Sequence, residues 1–368
     1  MRLTASVFVA VLLLPGAAPA QSNLDAILPV RGFCIGLPGP SGVDKFCEFI
    51  DSELAPRGVN TLVLRVDYRF QYQSHPEVVD RDPLSLVDAK KLVAVCRKDH
   101  IHLIPQINLL GHQSSNTNLG GLLRAHPEFD ETPWVKMPAK YKFPNPERLY
   151  CKSYCPRHPK VHKVVFALVD ELCDAFESDA FHAGMDEVLY IGEDKCPRCH
   201  GRDKAALFAG EVKTIDEHLR AHGRTMWMWG DRFLDGNATG LGQWSASKTG
   251  TAPAVDMVPR DIMICDWHYN EAVPTAAYFA FKGFHVVSCP WRNASVAVAQ
   301  VDDMARWHRH VPPEMAGCFQ GVMQTVWSSP EGFLSREYKH DLRTNSWNCF
   351  VAMSDEFAKL AQPPVPAK

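Results

Sequence analysis

Eight short runs of apolar, largely β-branched residues recur along the chain, each followed by a loop and a segment of helical periodicity. They are Arg31 to Gly36, Thr61 to Val66, Ile101 to Asn108, Ala180 to Met185, Arg224 to Trp229, Ile262 to Asp266, His285 to Cys289 and Val322 to Trp327. Runs this apolar suit parallel strands covered on both faces, because a sheet with one wet face alternates polar and apolar positions. Ser85 to Lys98 sets Leu86, Val87, Leu92, Val93, Val95 and Cys96 at roughly helical spacing. Similar patterns occupy Lys160 to Glu177, Lys204 to His222, Asn270 to Phe281, Ser295 to His308 and Ser335 to Leu360. The expected fold is α/β, a single (β/α)8 TIM barrel rather than a doubly wound sheet. One stretch, Gly111 to Pro159, is too long for a plain connector and is expected to be a functional or stapled loop ending at Cys151 and Cys155.

The charge balance narrows the partner. With 39 Lys plus Arg against 42 Asp plus Glu, the formal net charge of −3 offers no basic field for nucleic acid or an anionic membrane. A small or neutral ligand is expected instead. The first twenty residues, MRLTASVFVAVLLLPGAAPA, join one Arg, an apolar run from Val7 to Leu14 and an Ala18-Pro19-Ala20 end. That is the pattern of a secretory signal peptide, and the run is shorter than the roughly 20 residues a bilayer requires. Residues 1–20 are thus expected to be a leader, and 21–368 a barrel exported to the periplasm or beyond, with no membrane span. Nothing in the sequence indicates an oligomeric state.

Twelve cysteines are present, and four stand as close pairs, Cys151-x3-Cys155 and Cys196-x2-Cys199. Three readings stay open for these four: two disulfides, free thiols, or a structural zinc site built from two short pairs. Cys34, Cys96, Cys173, Cys265, Cys289 and Cys318 lie in apolar stretches, as buried structural cysteines do.

In a barrel of this kind the reactive groups sit just past the C-terminal strand ends. Those positions hold Asp67, then Gln106, Asn108 and His112, then Asp186 and Glu187, then Trp229 and Asp231, then Asp266, Trp267 and Tyr269, then Trp291 and Trp327. Acids and indoles on one rim suit a sugar, whose apolar ring faces stack on aromatics while its hydroxyls take carboxylates and amides. The sharpest local feature is Phe181-His182-Ala183-Gly184-Met185-Asp186-Glu187-Val188, an apolar strand ending in two carboxylates. Neighbouring strand residues point to opposite faces, so this pair is not expected to bracket a glycosidic bond as two carboxyls about 5 to 9.5 Å apart. One acid, with its neighbour orienting the substrate, fits better.

These residues resemble glycoside hydrolase family 20, the β-N-acetylhexosaminidases, and most of all its compact hexosaminidase D-like type. His182-Ala183-Gly184-Met185-Asp186-Glu187 resembles the family's His-x-Gly-Gly-Asp-Glu. Ile104-Pro105-Gln106-Ile107-Asn108-Leu109-Leu110-Gly111-His112 resembles Ile-Pro-Glu-Ile-Asp-x-x-Gly-His, and Arg31-Gly32-Phe33, Trp229-Gly230-Asp231 and Trp327-Ser328 extend the set. The resemblance implies an exo-acting, cofactor-independent and metal-independent enzyme whose substrate's own acetamido oxygen attacks the anomeric carbon. It implies that Glu187 is general acid and then base, and that Asp186 orients the acetamido group. His112 and Asp67 would form a network behind Glu187. Trp229, Trp267 and Trp327 would wall the acetamido pocket, with Tyr269 a donor to its oxygen and Trp291 an alternative occupant of that side.

The chain also departs from the family pattern. Arg31 is followed by Gly36-Leu37-Pro38-Gly39-Pro40 where an Asp and a sugar-gripping Arg are usual. Two acids of the third-strand motif are Gln106 and Asn108, a glycine beside the catalytic pair is Met185, and the sugar-holding Glu after Trp-Ser is Ser329. Residues 21–30 leave no room for the α+β domain that usually precedes the barrel, so a lone barrel is expected. Two other readings of the rim are a barrel that binds sugar without turnover and a hydrolase of another glycan linkage.

Overall fold

The computed structural model describes residues 24–146, 149–340 and 345–362. The expected leader at 1–20 lies outside the described residues. Eight parallel strands, β1 (Val30–Gly36), β2 (Thr61–Arg65), β3 (His102–Leu109), β4 (Ala180–Gly184), β5 (Thr225–Trp229), β6 (Met263–Trp267), β7 (His285–Cys289) and β8 (Phe319–Thr325), close into a barrel in the order β1-β8-β7-β6-β5-β4-β3-β2. Each of the eight runs picked out by composition overlaps one of them. Helices pack outside: α1 (Val43–Phe49), α2 (Leu86–Lys98), α3 (Val161–Phe176), α4 (Lys204–Ala221), α5 (Thr275–Phe281), α6 (Ala294–His310), α7 (Pro330–Arg336) and α8 (Ser346–Ala361). No helix among the described residues is long and apolar enough to cross a membrane.

Side-chain alternation along the strands separates two cores. Val30, Cys34, Val63, Ile104, Ala180, Trp227, Trp229, Cys265, Trp267, Val287, Cys289 and Met323 form one apolar cluster, the barrel interior. Their neighbours, among them Phe181, Met226, Met228, Ile264 and Val286, belong to the larger cluster between strands and helices. The same parity carries the indoles of Trp229 and Trp267 inward at their strand ends.

Two expected boundaries move. β8 starts at Phe319 and stops at Thr325, which leaves Trp327 beyond the strand, on the rim. The early start runs through Gly321 at φ +138°, where a Cβ would lie 1.9 Å from the Val30 carbonyl oxygen, so only glycine keeps β8 paired to β1 there. The helix expected over Ser335 to Leu360 is two helices. Ser329 Oγ caps α7 by accepting the Gly332 N–H ahead of Pro330, and the Asn345 side chain caps α8 by accepting the Asn348 N–H, so each start has its own signal. The α1 segment after β1 was not among the expected helices; it buries Phe46 and Phe49, and Phe49 packs on Phe33 of β1 and Phe333 of α7.

Candidate active site

The end of β4 sets the site. Gly184 takes φ +66°, and a Cβ there would meet Asn108 Oδ1 at 2.5 Å. Met185 at φ +66° and Glu187 at φ +49° continue the left-handed path, so strand alternation ends before the two acids. Their carboxylates turn to a common partner: His112 Nε2 lies 3.3 Å from Asp186 Oδ2 and 3.3 Å from Glu187 Oε2. This corrects the expectation of opposite faces, which assumed that the strand ran on through both residues. Asp67, Leu110 and His112 also have positive φ. Non-glycine residues held this way cost on the order of 1 to 3 kcal/mol each, and such strain gathers where geometry is imposed for use.

Asp186 is buried and held as an anion. Burial opposes its charge, but His112 and the Asn108 amide overcome that and keep its carboxyl below the ordinary 3.8. Asn108 Nδ2 donates to Asp186 Oδ1 at 2.6 Å, and Asn108 Oδ1 accepts the Met185 N–H at 3.0 Å. His112 is the counterpart: burial opposes its charge, and Asp186, Cys151 and Glu187 outweigh it, raising the imidazole well above 6.5. Asp67 was expected behind Glu187 with His112; its Oδ1 instead accepts the Asn108 N–H at 2.8 Å, which places it behind Asp186. Burial pushes Asp67 up, partly offset by that N–H, Arg65 and His112.

Asp231 joins the second wall to the acids. Its Oδ2 accepts the Glu187 N–H at 3.0 Å and the Arg232 Nε at 2.6 Å, and its Oδ1 accepts the Trp267 indole N–H at 3.2 Å. Burial lifts its carboxyl to about 6, against the pull of Arg232. Trp229 is fully buried, with ring centroids 4.5 Å from His182 and 5.6 Å from Trp327. Trp327 Nε1 donates to the Tyr269 hydroxyl oxygen at 2.9 Å. Tyr269 stacks on Trp267 at 5.1 Å and meets Trp291 edge-on at 5.2 Å. The four tryptophans and Tyr269 thus form one connected aromatic wall, with Trp291 at its outer end under the Arg292 guanidinium.

Several residues of the site had no sequence signal. Tyr150 comes from the long loop, and burial and the Glu187 charge hold its hydroxyl far above its ordinary range. It packs at 5.8 Å on His112 and 4.6 Å on Trp244, and Phe143 lies 5.4 Å from the same indole. Arg65, at the end of β2, lies 4.7 Å over the Trp327 ring and donates to the Val326 carbonyl at 2.8 Å. Arg31, by contrast, lies at the N-terminal end of its strand, bonded to Leu28 and Gly58 carbonyls and paired with Asp25 at 2.8 Å. Ser329 serves as the α7 cap.

The four-cysteine grouping is corrected. Cys151 stands apart at the active site, its Sγ 3.9 Å from the Glu187 carbonyl oxygen. Cys155, Cys196 and Cys199 meet with Glu131, ligand-type atoms all within 4.8 Å of one another. All twelve cysteines are free thiols in the structure, and Cys318 is half-buried rather than buried.

Residues 70–330 match the family described as Glycosyl hydrolase family 20, catalytic domain. Over 121 residues the chain is 34% identical to a beta-hexosaminidase of Akkermansia muciniphila, a match covering 33% of this chain and 22% of that one. Among solved structures it is similar to a chitobiase of Flavobacterium johnsoniae, with TM-score 0.61 and 15% identity over 90% of this chain and 51% of the other. It is also similar to a beta-N-acetylhexosaminidase of Bacteroides fragilis, with TM-score 0.59 and 16% identity over 89% and 66%. The chain therefore spans about a fifth of the curated relative and half of the chitobiase. At these identities the structural likeness speaks to the barrel alone.

Proposed function

Because the chain belongs to glycoside hydrolase family 20, we propose that it is an exported, exo-acting β-N-acetylhexosaminidase that releases terminal β-linked GlcNAc or GalNAc with retention. The observation that carries this reading is the His112 imidazole shared at 3.3 Å by Asp186 and Glu187, with Asp186 fixed by Asn108. One carboxylate is locked as an anion, and the other is left for proton transfer.

In the first step the substrate's acetamido oxygen forms a bond to the anomeric carbon as the bond to the leaving oxygen breaks. Glu187 gives its proton to that oxygen. The resulting oxazolinium carries positive charge, and Asp186 accepts its N–H and stabilises that charge in a site already arranged for it. In the second step Glu187, now a carboxylate, takes a proton from water as the water oxygen attacks the anomeric carbon and the ring reopens. Two displacements at one carbon give retention. Tyr269 accepts from Trp327, so its own hydrogen is available to the acetamido oxygen. The leader-like residues 1–20 support export, and the family resemblance supports exo action.

A thiazoline analogue of the oxazolinium tests the route. Competitive inhibition that weakens in Asp186→Asn is expected. Absence of inhibition in an active enzyme would overturn the route. Arg31 and Ser329 both serve structure rather than the rim, which favours a second reading, a barrel that binds sugar without turning it over. Saturable GlcNAc binding with no release of any aryl glycoside would establish it.

A further inference from the structure

Glu131 and Cys155 belong to the long loop after β3, while Cys196 and Cys199 belong to the loop that follows Asp186 and Glu187. Within the long loop an isolated antiparallel bridge joins Asp130 and Tyr154. Cys155 N–H bonds the Phe129 carbonyl at 2.7 Å, and Glu131 N–H bonds the Ser153 carbonyl at 3.0 Å. That pairing sets Glu131 beside Cys155. In the second loop the Cys196 N–H bonds the Glu193 carbonyl at 2.9 Å and the His200 N–H bonds the Cys196 carbonyl at 3.0 Å, a tight turn that brings Cys199 back to Cys196.

The donor atoms converge as ligands do. Cys155 Sγ is 3.4 Å from Cys199 Sγ and 3.7 Å from Cys196 Sγ. Thiolates bound tetrahedrally to zinc at about 2.3 Å would stand about 3.8 Å apart. All four side chains are buried, Glu131, Cys155 and Cys199 completely. Glu131 Oε1 accepts the Glu193 N–H at 3.1 Å, but its Oε2 is buried with no hydrogen-bond partner among the described residues. A carboxylate oxygen sealed from water without a donor is costly, and a cation beside it removes that cost. A disulfide would engage only two of the three sulfurs, and no bond joins any of them in the structure.

We propose that Glu131, Cys155, Cys196 and Cys199 form a structural binding site for a soft divalent cation, zinc by its donor set, which fastens the loop after β3 to the loop after β4. Both loops carry active-site residues, Tyr150 and Cys151 on one and the continuation of Asp186-Glu187 on the other. The cation therefore holds the rim in register and takes no part in the reaction. Three sulfurs and one oxygen exclude magnesium or calcium, which prefer all-oxygen cages.

The test is metal content and spectroscopy of the full chain purified under reducing conditions, neither of which depends on turnover. About one zinc per chain is expected. Replacement by Co2+ is expected to give the sulfur-to-metal charge-transfer absorption and intense visible bands of a tetrahedral thiolate site. Chelation is expected to lower the thermal midpoint. Cys196→Ser and Glu131→Gln are expected to lose or weaken metal, while Cys151→Ser retains it. The Co2+ spectrum of the unaltered chain decides the matter if a variant does not fold. Failure of the unaltered chain to take up zinc or Co2+, a Cys155–Cys199 disulfide found by peptide mass, or equal metal loss in Cys151→Ser would each overturn the proposal.

Discussion

Asn108 donates its side-chain N–H to Asp186 Oδ1 at 2.6 Å, so the residue that fixes this buried acid is neutral. An amide there supports the Asp186 anion without asking for a shared proton. Asn108→Asp sets a second carboxyl against the first, and two carboxylates this close do not both ionise. The apparent pKa of the pair rises, so the acidic limb of kcat/KM is expected to move to higher pH. Asn108→Ala removes a bond to a charged group worth about 1.5 to 3 kcal/mol, roughly a tenfold to 150-fold loss in kcat/KM with the fold intact. A pH profile of the three proteins checks both.

His112 and Asp186 stabilise each other over a defined pH range. Asp186 has its folded value below 3.8, so its contribution is present above 3.8 and lost as pH falls through the folded value. His112 has its folded value well above 6.5, so its contribution is complete below 6.5 and lost as pH rises through the folded value. Both are complete between 3.8 and 6.5. His112→Gln is therefore expected to destabilise most in that window and least in alkali. Urea midpoints at pH about 5 and about 10 test this, and an equal loss at both would contradict it.

Gly321→Ala places a methyl group against the Val30 carbonyl, where 1.9 Å is available, at a φ of +138° that a side chain rarely adopts. The β1–β8 seam must open to admit it. A loss of about 2 to 4 kcal/mol in unfolding free energy is expected, against within about 0.5 kcal/mol for Gly317→Ala, whose Cβ meets open space.

The barrel was legible because most of its strands announce themselves twice, by β-branched apolar content and by a helical stretch that follows. The acids, His112 and the indoles were legible because they fall at strand ends, where the fold delivers function. Tyr150, Phe143 and Trp244 were not, since each comes from an irregular loop whose path is set by long-range packing rather than local propensity. Glu131 was invisible for a similar reason: it lies twenty-four residues from Cys155 in sequence and reaches it only through the Asp130–Tyr154 pairing. Grouping Cys151 with the other three followed spacing alone. The two sulfurs part company, one lying by the Glu187 carbonyl and the other by Cys199. The shared orientation of Asp186 and Glu187 was misjudged because left-handed turns at Gly184, Met185 and Glu187 override strand alternation.

The most direct test is release of 4-nitrophenol from paired β-GlcNAc and β-GalNAc substrates by the unaltered chain, Asp186→Asn and Glu187→Gln. The account predicts hydrolysis by the unaltered chain and losses of roughly 100-fold to 10,000-fold in each variant, with KM little changed in Glu187→Gln. Undiminished turnover in Glu187→Gln, or hydrolysis of plain β-glycosides as fast as of their acetamido counterparts, would contradict it.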